Sequence, residues 1–267
     1  MLSRTAWLAS YPKSGNTWVR ALLSSLERDG EPSLVTLDPG GRGDRLDSEL
    51  GVSLGDLSDA EADAMIRTSW ANARLASGQF IRRKTHNAWV PGADGFPIPW
   101  QPEGARAVYI VRDPRAIAVS FAHHMGFTHE TAVAIMASAE WSTSIDRREA
   151  TSSWSRNVGS WLDDCELPLL LVTYEELSAN TPAQLTRIAK FLDLPTDEER
   201  IDRAVSACSF TTLAAREIVG GFSEATAEGR PFFRRGEVDS WREELSPYLA
   251  ERICGDHGDM MKRLGYL

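Results

Sequence analysis

The stretch Trp7-Leu8-Ala9-Ser10-Tyr11-Pro12-Lys13-Ser14-Gly15-Asn16-Thr17-Trp18 decides the fold. The apolar run Thr5 to Ser10 reads as a buried strand, the chain turns between Pro12 and Gly15, and it enters Asn16 to Leu26, where apolar residues recur at spacings of three and four. That order is strand, tight loop, helix, a geometry that aims the unpaired N–H groups and the positive dipole end of a helix start at an anion. Gly15 lets the backbone approach closely, Lys13 adds a point charge, and Ser14 and Thr17 offer hydroxyl donors suited to phosphoryl-type oxygens. An ordinary strand-to-helix turn carrying a solvated lysine has the same outline, so the reading needs support from the rest of the chain.

Outward from this loop the pattern repeats. Phe80 to Lys84, Ala107 to Val111 and Leu167 to Thr173 read as further buried strands. Ala60 to Ala76, Pro114 to His124, Thr181 to Leu192 and Glu198 to Ala207 read as helices with Pro or polar caps nearby. Alternating strands and helices predict an α/β fold, a P-loop-type doubly wound and mainly parallel sheet flanked by helices. The 267 residues fit a single domain over 1–267 with covering loop insertions. Glu31 to Ser58, rich in Gly, Asp, Ser and Pro, is expected to be a surface excursion. Gly220 to Pro231 is expected to be a flap beside a basic cluster.

Composition narrows the function classes. Hydrophobic residues at 42% and charged residues at 25% describe a folded chain rather than a disordered one. A net charge of -9 argues against general binding to nucleic acid or to a membrane surface, both anionic, so any anion site must be local. Cys165, Cys208 and Cys254 form neither a CxxC metal spacing nor an even disulfide set, which points to a reducing compartment. No apolar run approaches the roughly 20 residues that span a bilayer, and the expected location is cytoplasmic.

A nucleotide kinase or NTPase would carry GxxxxGK[ST], with lysine after the last glycine and a hydroxyl for magnesium. Here Lys13 precedes Gly15 and Asn16-Thr17 follow it. The fold survives that comparison and ATP chemistry does not. The segment YPKSGNTW resembles instead the 5'-phosphosulfate loop of the sulfotransferase family that uses 3'-phosphoadenosine 5'-phosphosulfate (PAPS), in its cytosolic and bacterial small-molecule branch. Further motifs similar to that family's follow in order as far as Trp241. In Val108-Tyr109-Ile110-Val111-Arg112-Asp113-Pro114 through Ser120, the resemblance gives Arg112 and Ser120 the donor's 3'-phosphate. An Arg-Asp-Pro turn alone would be equally consistent with a structural ion pair. Phe232-Phe233-Arg234-Arg235-Gly236 resembles the family's RKG element, which closes over the same phosphate. Arg235 stands where lysine is usual, and Asp239-Ser240 stand where Gly-Asp is usual. For the adenine the resemblance nominates Trp18, Tyr174 and Phe210. It assigns the donor's 5' side to Lys13, Ser14, Gly15, Asn16 and Thr17.

Arg82-Arg83-Lys84-Thr85-His86 ends a predicted strand, and a KTH run there resembles the family's motif for its general base. His86 would take the acceptor's proton, since an unperturbed imidazole titrates at about 6.5. Lys13 would offset charge on the leaving phosphate and Lys84 would face the transferring sulfuryl oxygens. Ser120 would hydrogen-bond Lys13, a role implied only by the resemblance. The reaction expected is direct in-line transfer onto a hydroxyl of a small acceptor, an alcohol, phenol or glycosylated natural product, with PAPS as donor and 3'-phosphoadenosine 5'-phosphate (PAP) as product. No metal is expected, because no HExxH or comparable cluster occurs and a cationic loop can do the charge work. His123, His124 and His129 read as packing or acceptor-pocket residues. Trp89, Phe96, Trp100, Phe127 and Phe222 either line an acceptor pocket or bury the insertions against the sheet. A monomer or homodimer is expected. A membrane-anchored carbohydrate sulfotransferase and a catalytically idle nucleotide binder are the rivals. The first would show an N-terminal anchor, and the second has no use for His86 and Lys84.

Overall fold

The computed structural model describes residues 4–30, 32, 34, 37, 51–72, 80–97, 99, 104–142, 150–222, 224–225 and 229–267. Strands β1 (Arg4–Ser10), β2 (Phe80–Thr85), β3 (Arg106–Val111) and β4 (Leu169–Thr173) form one sheet in the order β2-β1-β3-β4. The sequence reading placed each of these strands to within about two residues. In β1, Ala6, Trp7, Leu8 and Ala9 are all at most 1% exposed, which is why the strand reads as a continuous apolar run rather than an alternating one. β1 and β2 are parallel, with Leu8 opposite Lys84 and Ala9 opposite Thr85. That register carries the next residue, His86, to the end of β1.

The helices are α1 (Asn16–Arg28), α2 (Asp59–Asn72), α3 (Pro114–Met125), α4 (His129–Ala137), α5 (Trp154–Gly159), α6 (Tyr174–Ala179), α7 (Thr181–Phe191), α8 (Glu198–Ala207), α9 (Phe210–Gly220), α10 (Trp241–Glu244) and α11 (Pro247–Arg263). A π-helical turn, Ser160–Asp164, continues α5. Side-chain caps fix many starts: Asp113 accepts from Arg115 N, Asn180 from Ala183 N, Asp197 from Arg200 N, Ser209 from Thr212 N and Ser246 from Leu249 N. Pro114 and Pro247 occupy first-turn positions where a missing N–H costs nothing.

Two compact units contain these elements. The first comprises Met1–Tyr11, Asp38–Tyr109 and Ser138–Leu169; the second comprises Pro12–Leu37, Ile110–Ala137 and Leu170–Leu267. In the first, Trp161 is fully buried and meets Trp89 edge-on at 5.1 Å and Tyr109 at 5.8 Å. In the second, α1 packs on α7 and α8, and α11 packs on α3 and α4. His257, 3% exposed on α11, sits in the stripe Leu249, Ile253, His257, Met261, and burial pushes its pKa down to about 4.

Differences from the sequence reading have local causes. α2 ends at Asn72, and residues 73–76 of the predicted Ala60–Ala76 helix lie outside the described residues. α4, where the sequence reading gave no helix, is a nine-residue element whose apolar run, AVAIMA, follows three polar residues without a break, so no stripe stands out. α9 was hidden for the opposite reason: Leu213 is its one buried residue. Most of the Glu31 to Ser58 excursion, Trp100, and residues 223 and 226–228 of the expected flap lie outside the described residues. Within that flap, Phe222 and Glu224 are each 8% exposed, so they are packed rather than solvated.

Candidate active site

The second unit gathers the residues nominated for the donor. The loop before α1 takes its shape from two left-handed residues, Lys13 at φ 68° and Gly15 at φ 100°. Gly15 is the residue before the first helical turn, and a β-carbon there would lie 2.7 Å from Cδ2 of Tyr174, so only glycine fits. Ser14 is fully buried and its hydroxyl has no hydrogen-bond partner. A buried donor left unpaired costs about 1–3 kcal/mol, and an orphan hydroxyl at a helix start is suited to an anionic oxygen. Asn16 Oδ1 accepts from Arg20 Nε at 3.0 Å. Thr17 Oγ1 accepts from Arg20 Nη2 at 2.8 Å and donates to Glu224 Oε2 at 3.4 Å. Trp18 anchors through Nε1–H to the carbonyl of Cys208 at 2.9 Å, with its ring 5.7 Å from that of Tyr174. Lys13 Nζ lies 3.8 Å from the centre of the Phe232 ring.

Arg112 follows β3 and is 8% exposed. Its Nη1 donates to the Lys13 carbonyl at 3.3 Å, its Nη2 to the Glu237 carbonyl at 3.0 Å, and its guanidinium lies 4.0 Å over the Tyr174 ring. Its Nε is buried without a partner, a second orphan donor beside the loop. In the turn after it Asp113 pairs with Arg115 at 2.7 Å, a different partner from the Arg112 of the Arg-Asp-Pro turn. Ser120 is half-buried two turns into α3. Tyr174 donates its hydroxyl to the Gly236 carbonyl at 2.8 Å, and burial raises its pKa against the pull of Arg112. Phe210 begins α9 and packs on Gly236, whose φ of 70° and closeness to that ring exclude a side chain. Arg234 and Arg235 are held by carboxylates: Arg234 by Glu244, and Arg235 by Glu237 at 3.0 Å and by Glu243 and Glu244 at 3.3 Å each.

Three acidic residues with structural parts to play carry no sequence motif. Glu224 pairs with Arg20 at 2.6 Å, both nearly buried, so the 220–231 segment is tied to the helix that carries the phosphate loop. Removing one partner of such a pair typically costs about 3–5 kcal/mol, because the other charge stays buried. Glu217 on α9 accepts the successive N–H groups of Phe232 at 2.6 Å and Phe233 at 2.9 Å. Glu175 accepts from Asp113 N at 3.0 Å and from the Tyr266 hydroxyl at 2.9 Å; burial raises its pKa. A cationic neighbourhood surrounds His123, whose ring Nε2 lies 3.3 Å from the Pro231 carbonyl. Its pKa is lowered by burial first, and further by Arg234, Arg230 and Lys13.

The first unit holds Lys84 on β2 and His86 just after it. His86 Nδ1 lies 2.7 Å from the carbonyl oxygen of Ser10, with the Ser10 hydroxyl at 3.3 Å. A carbonyl can only accept, so Nδ1 carries the proton and the lone pair of this neutral tautomer sits on Nε2. Of the aromatic residues expected around an acceptor, Trp89 is 5% exposed against Trp161, Phe96 is exposed beside Arg67, Phe127 meets Phe121 edge-on at 6.1 Å, and Phe222 packs on Phe232 at 4.9 Å. Among the described residues no three His, Cys, Asp or Glu side chains cluster as a metal site, and no helix is long and apolar enough to cross a membrane.

Comparison with known proteins identifies the family and the fold. The family model described as a sulfotransferase domain matches residues 3–265. Cytosolic sulfotransferase 8 of Arabidopsis thaliana is 28% identical over 263 residues, covering 92% of this chain and 73% of that protein. Sulfotransferase 1B1 of Mus musculus is 26% identical, covering 92% and 79%. Among solved structures, retinol dehydratase in complex with androsterone and PAP superposes with a TM-score of 0.65 at 20% identity, covering 97% of this chain and 80% of that one. Mouse sulfotransferase SULT7A1 complexed with PAP gives 0.65 at 19%, covering 97% and 84%. These structural likenesses establish the fold.

Proposed function

The chain belongs to the sulfotransferase family, and from that premise we propose that it transfers the sulfuryl group of PAPS directly, in line, to a hydroxyl of a small-molecule acceptor, with His86 as general base. It is a PAPS-dependent sulfotransferase; the class of acceptor and the identity of the base are the proposed parts. The orphan Ser14 hydroxyl and the orphan Arg112 Nε support a phosphorylated donor held by Lys13, Ser14, Gly15, Asn16 and Thr17 on one side. Arg112, Ser120, Arg234, Arg235 and Gly236 would hold the 3'-phosphate, and Trp18, Tyr174 and Phe210 the adenine. Bound PAPS supplies an electrophilic sulfuryl group on a phosphate leaving group.

The protein's own residues do the rest. His86 Nε2 takes the acceptor's proton; the observation that carries this reading is the 2.7 Å contact from His86 Nδ1 to the Ser10 carbonyl, which fixes the basic tautomer. Lys13 offsets charge developing on the leaving phosphate and Lys84 on the transferring oxygens. Positioning and electrostatics suffice, so no covalent enzyme intermediate is required. Acceptors are alcohols, phenols or glycosylated natural products; the enzyme works in the cytoplasm as one domain, monomeric or homodimeric, apart from nucleic acid and membrane.

Calorimetric titration tests the donor assignment: PAP should bind tightly and ATP with magnesium weakly, and Arg112→Ala should weaken PAP by about 10–100-fold. Preference for ATP would overturn it. Turnover with labelled donor across a hydroxyl panel tests the base, and His86→Ala should cost at least about 100-fold in kcat.

A further inference from the structure

The backbone that follows β2 is held by a helix that nothing in the sequence marks as functional. Asn157 on α5 is fully buried, and its Nδ2 donates to the His86 carbonyl at 2.9 Å and to the Thr151 carbonyl at 2.8 Å. Its Oδ1 receives the Tyr109 hydroxyl at 2.7 Å. Both partners of the nitrogen are carbonyls, which only accept, so the amide has one orientation and every hydrogen bond it can offer inward is made. Where α5 widens into the π turn, Ser160 Oγ receives the Trp89 N–H at 2.8 Å and donates to the Asn157 carbonyl at 2.8 Å. Trp161 Nε1–H donates to the Asn87 carbonyl at 2.8 Å. Three side chains within five residues thus fix the main chain at His86, Asn87 and Trp89, and all three are nearly or fully buried. A π turn places side chains that a continuous α-helix would rotate apart, and such turns concentrate at functional sites.

We infer that Asn157 is a positioning residue for the base, with Ser160 and Trp161 as its supports: this helix and its π turn set the height and tilt of the His86 ring through the backbone. The inference rests on the reading of His86 as general base. The ring is then fixed from two directions, through Nδ1 by the Ser10 carbonyl and through its own carbonyl by Asn157. Loss of the second would leave the tautomer intact and let Nε2 drift from the acceptor oxygen, which affects the chemical step and leaves donor binding alone.

Asn157→Asp is the decisive variant, because it keeps the shape and sets a carboxylate oxygen against two carbonyls. It should lower kcat by about 30–100-fold and leave the PAP dissociation constant within about two-fold. In a His86→Ala background the same substitution should change the residual rate by less than about two-fold, since nothing remains to be positioned. An equal loss in both backgrounds, a parallel loss of PAP affinity, or no loss in either would overturn the inference. Should Asn157→Asp fail to fold, Ser160→Ala serves in its place, with about a five-fold loss of kcat that again vanishes without His86. His86→Ala measured alone separates the two readings. A loss under about ten-fold sinks the base assignment, whereas a large loss with equal Asn157 effects in both backgrounds sinks only the positioning role.

Discussion

The phosphate loop, Tyr11 to Trp18, and the basic segment, Phe232 to Gly236, are both nominated to hold the nucleotide's phosphates, yet they are built by different means. The loop owes its shape to its own backbone: a strand end, two left-handed residues and a helix start. The basic segment has no regular structure of its own. Its N–H groups rest on Glu217, its glycine on Phe210 and Tyr174, and its arginines on Glu237, Glu243 and Glu244. One region is shaped before any ligand arrives. In the other the cations are already engaged, so a phosphate held there would compete with carboxylates for them. Local geometry and distant side chains are thus two ways of placing cations, and they should fail differently under mutation.

The largest effect should come from the loop. Gly15→Ala puts a β-carbon at φ 100° against the Tyr174 ring, so the loop must leave its native turn or displace that ring. PAP affinity measured by calorimetry should fall by about 100-fold or more, roughly 2.7 kcal/mol, with little change in far-ultraviolet dichroism. Retention of native affinity would mean that the loop is not fixed by its backbone, and the contrast between the two regions would collapse.

The basic segment should respond with the opposite sign. Glu244 pairs with both Arg234 and Arg235, and its side chain is 18% exposed. Glu244→Gln removes the charge that competes with phosphate and leaves an acceptor for one hydrogen bond. PAP affinity should rise by about three- to ten-fold, with a steeper decline as salt is added, because Arg234 loses its competing carboxylate and Arg235 is left with two carboxylates in place of three. A fall in affinity would show that Glu244 orients the arginines more than it competes for them, which would make the two regions more alike.

How far the sequence discloses each region follows the same division. The loop, the Arg112 turn and the KTH run are contiguous, so their spacing carries their geometry; the β1–β2 register then brings His86 to Ser10 without further information. Arg234 and Arg235 are legible as cations, but two of their three carboxylate partners, Glu243 and Glu244, depend on α10 turning back eight to ten residues later. The pairing of Arg20 with Glu224, 204 residues apart, has no local signature. Asn157 lies in a stretch with neither a clean stripe nor a motif, because the π turn breaks the 3.6-residue period on which a helical stripe is recognised. The fold was legible because strands and phosphate loops are local; the supports of the site were not, because they are long-range polar contacts of ordinary residues.

The smallest effect probes whether the cations of both regions meet at one ligand. His123 is held below the usual imidazole range by burial, and then by Arg234 and Arg230 from the basic segment and its approach and by Lys13 from the loop. A bound nucleotide phosphate would offset those cations and raise the imidazole's pKa in the complex. A group whose pKa rises on binding takes up a proton, so its contribution to affinity grows as pH falls through the window between the two values and levels off below the lower one. The window lies under the ordinary value of about 6.5 at its lower edge, since the ligand-free pKa is depressed. The nucleotide's own phosphate titrates near pH 6, and that effect is common to both proteins, so the ratio of wild-type to His123→Gln affinity isolates the histidine. That ratio should climb as pH falls from 8 and level off at about three-fold below the lower pKa, the limit set by a rise of about half a pKa unit. A flat ratio would mean that neither the phosphate at Lys13 nor the one at Arg234 changes the field at His123, and that the cations of the two regions do not meet around one bound ligand.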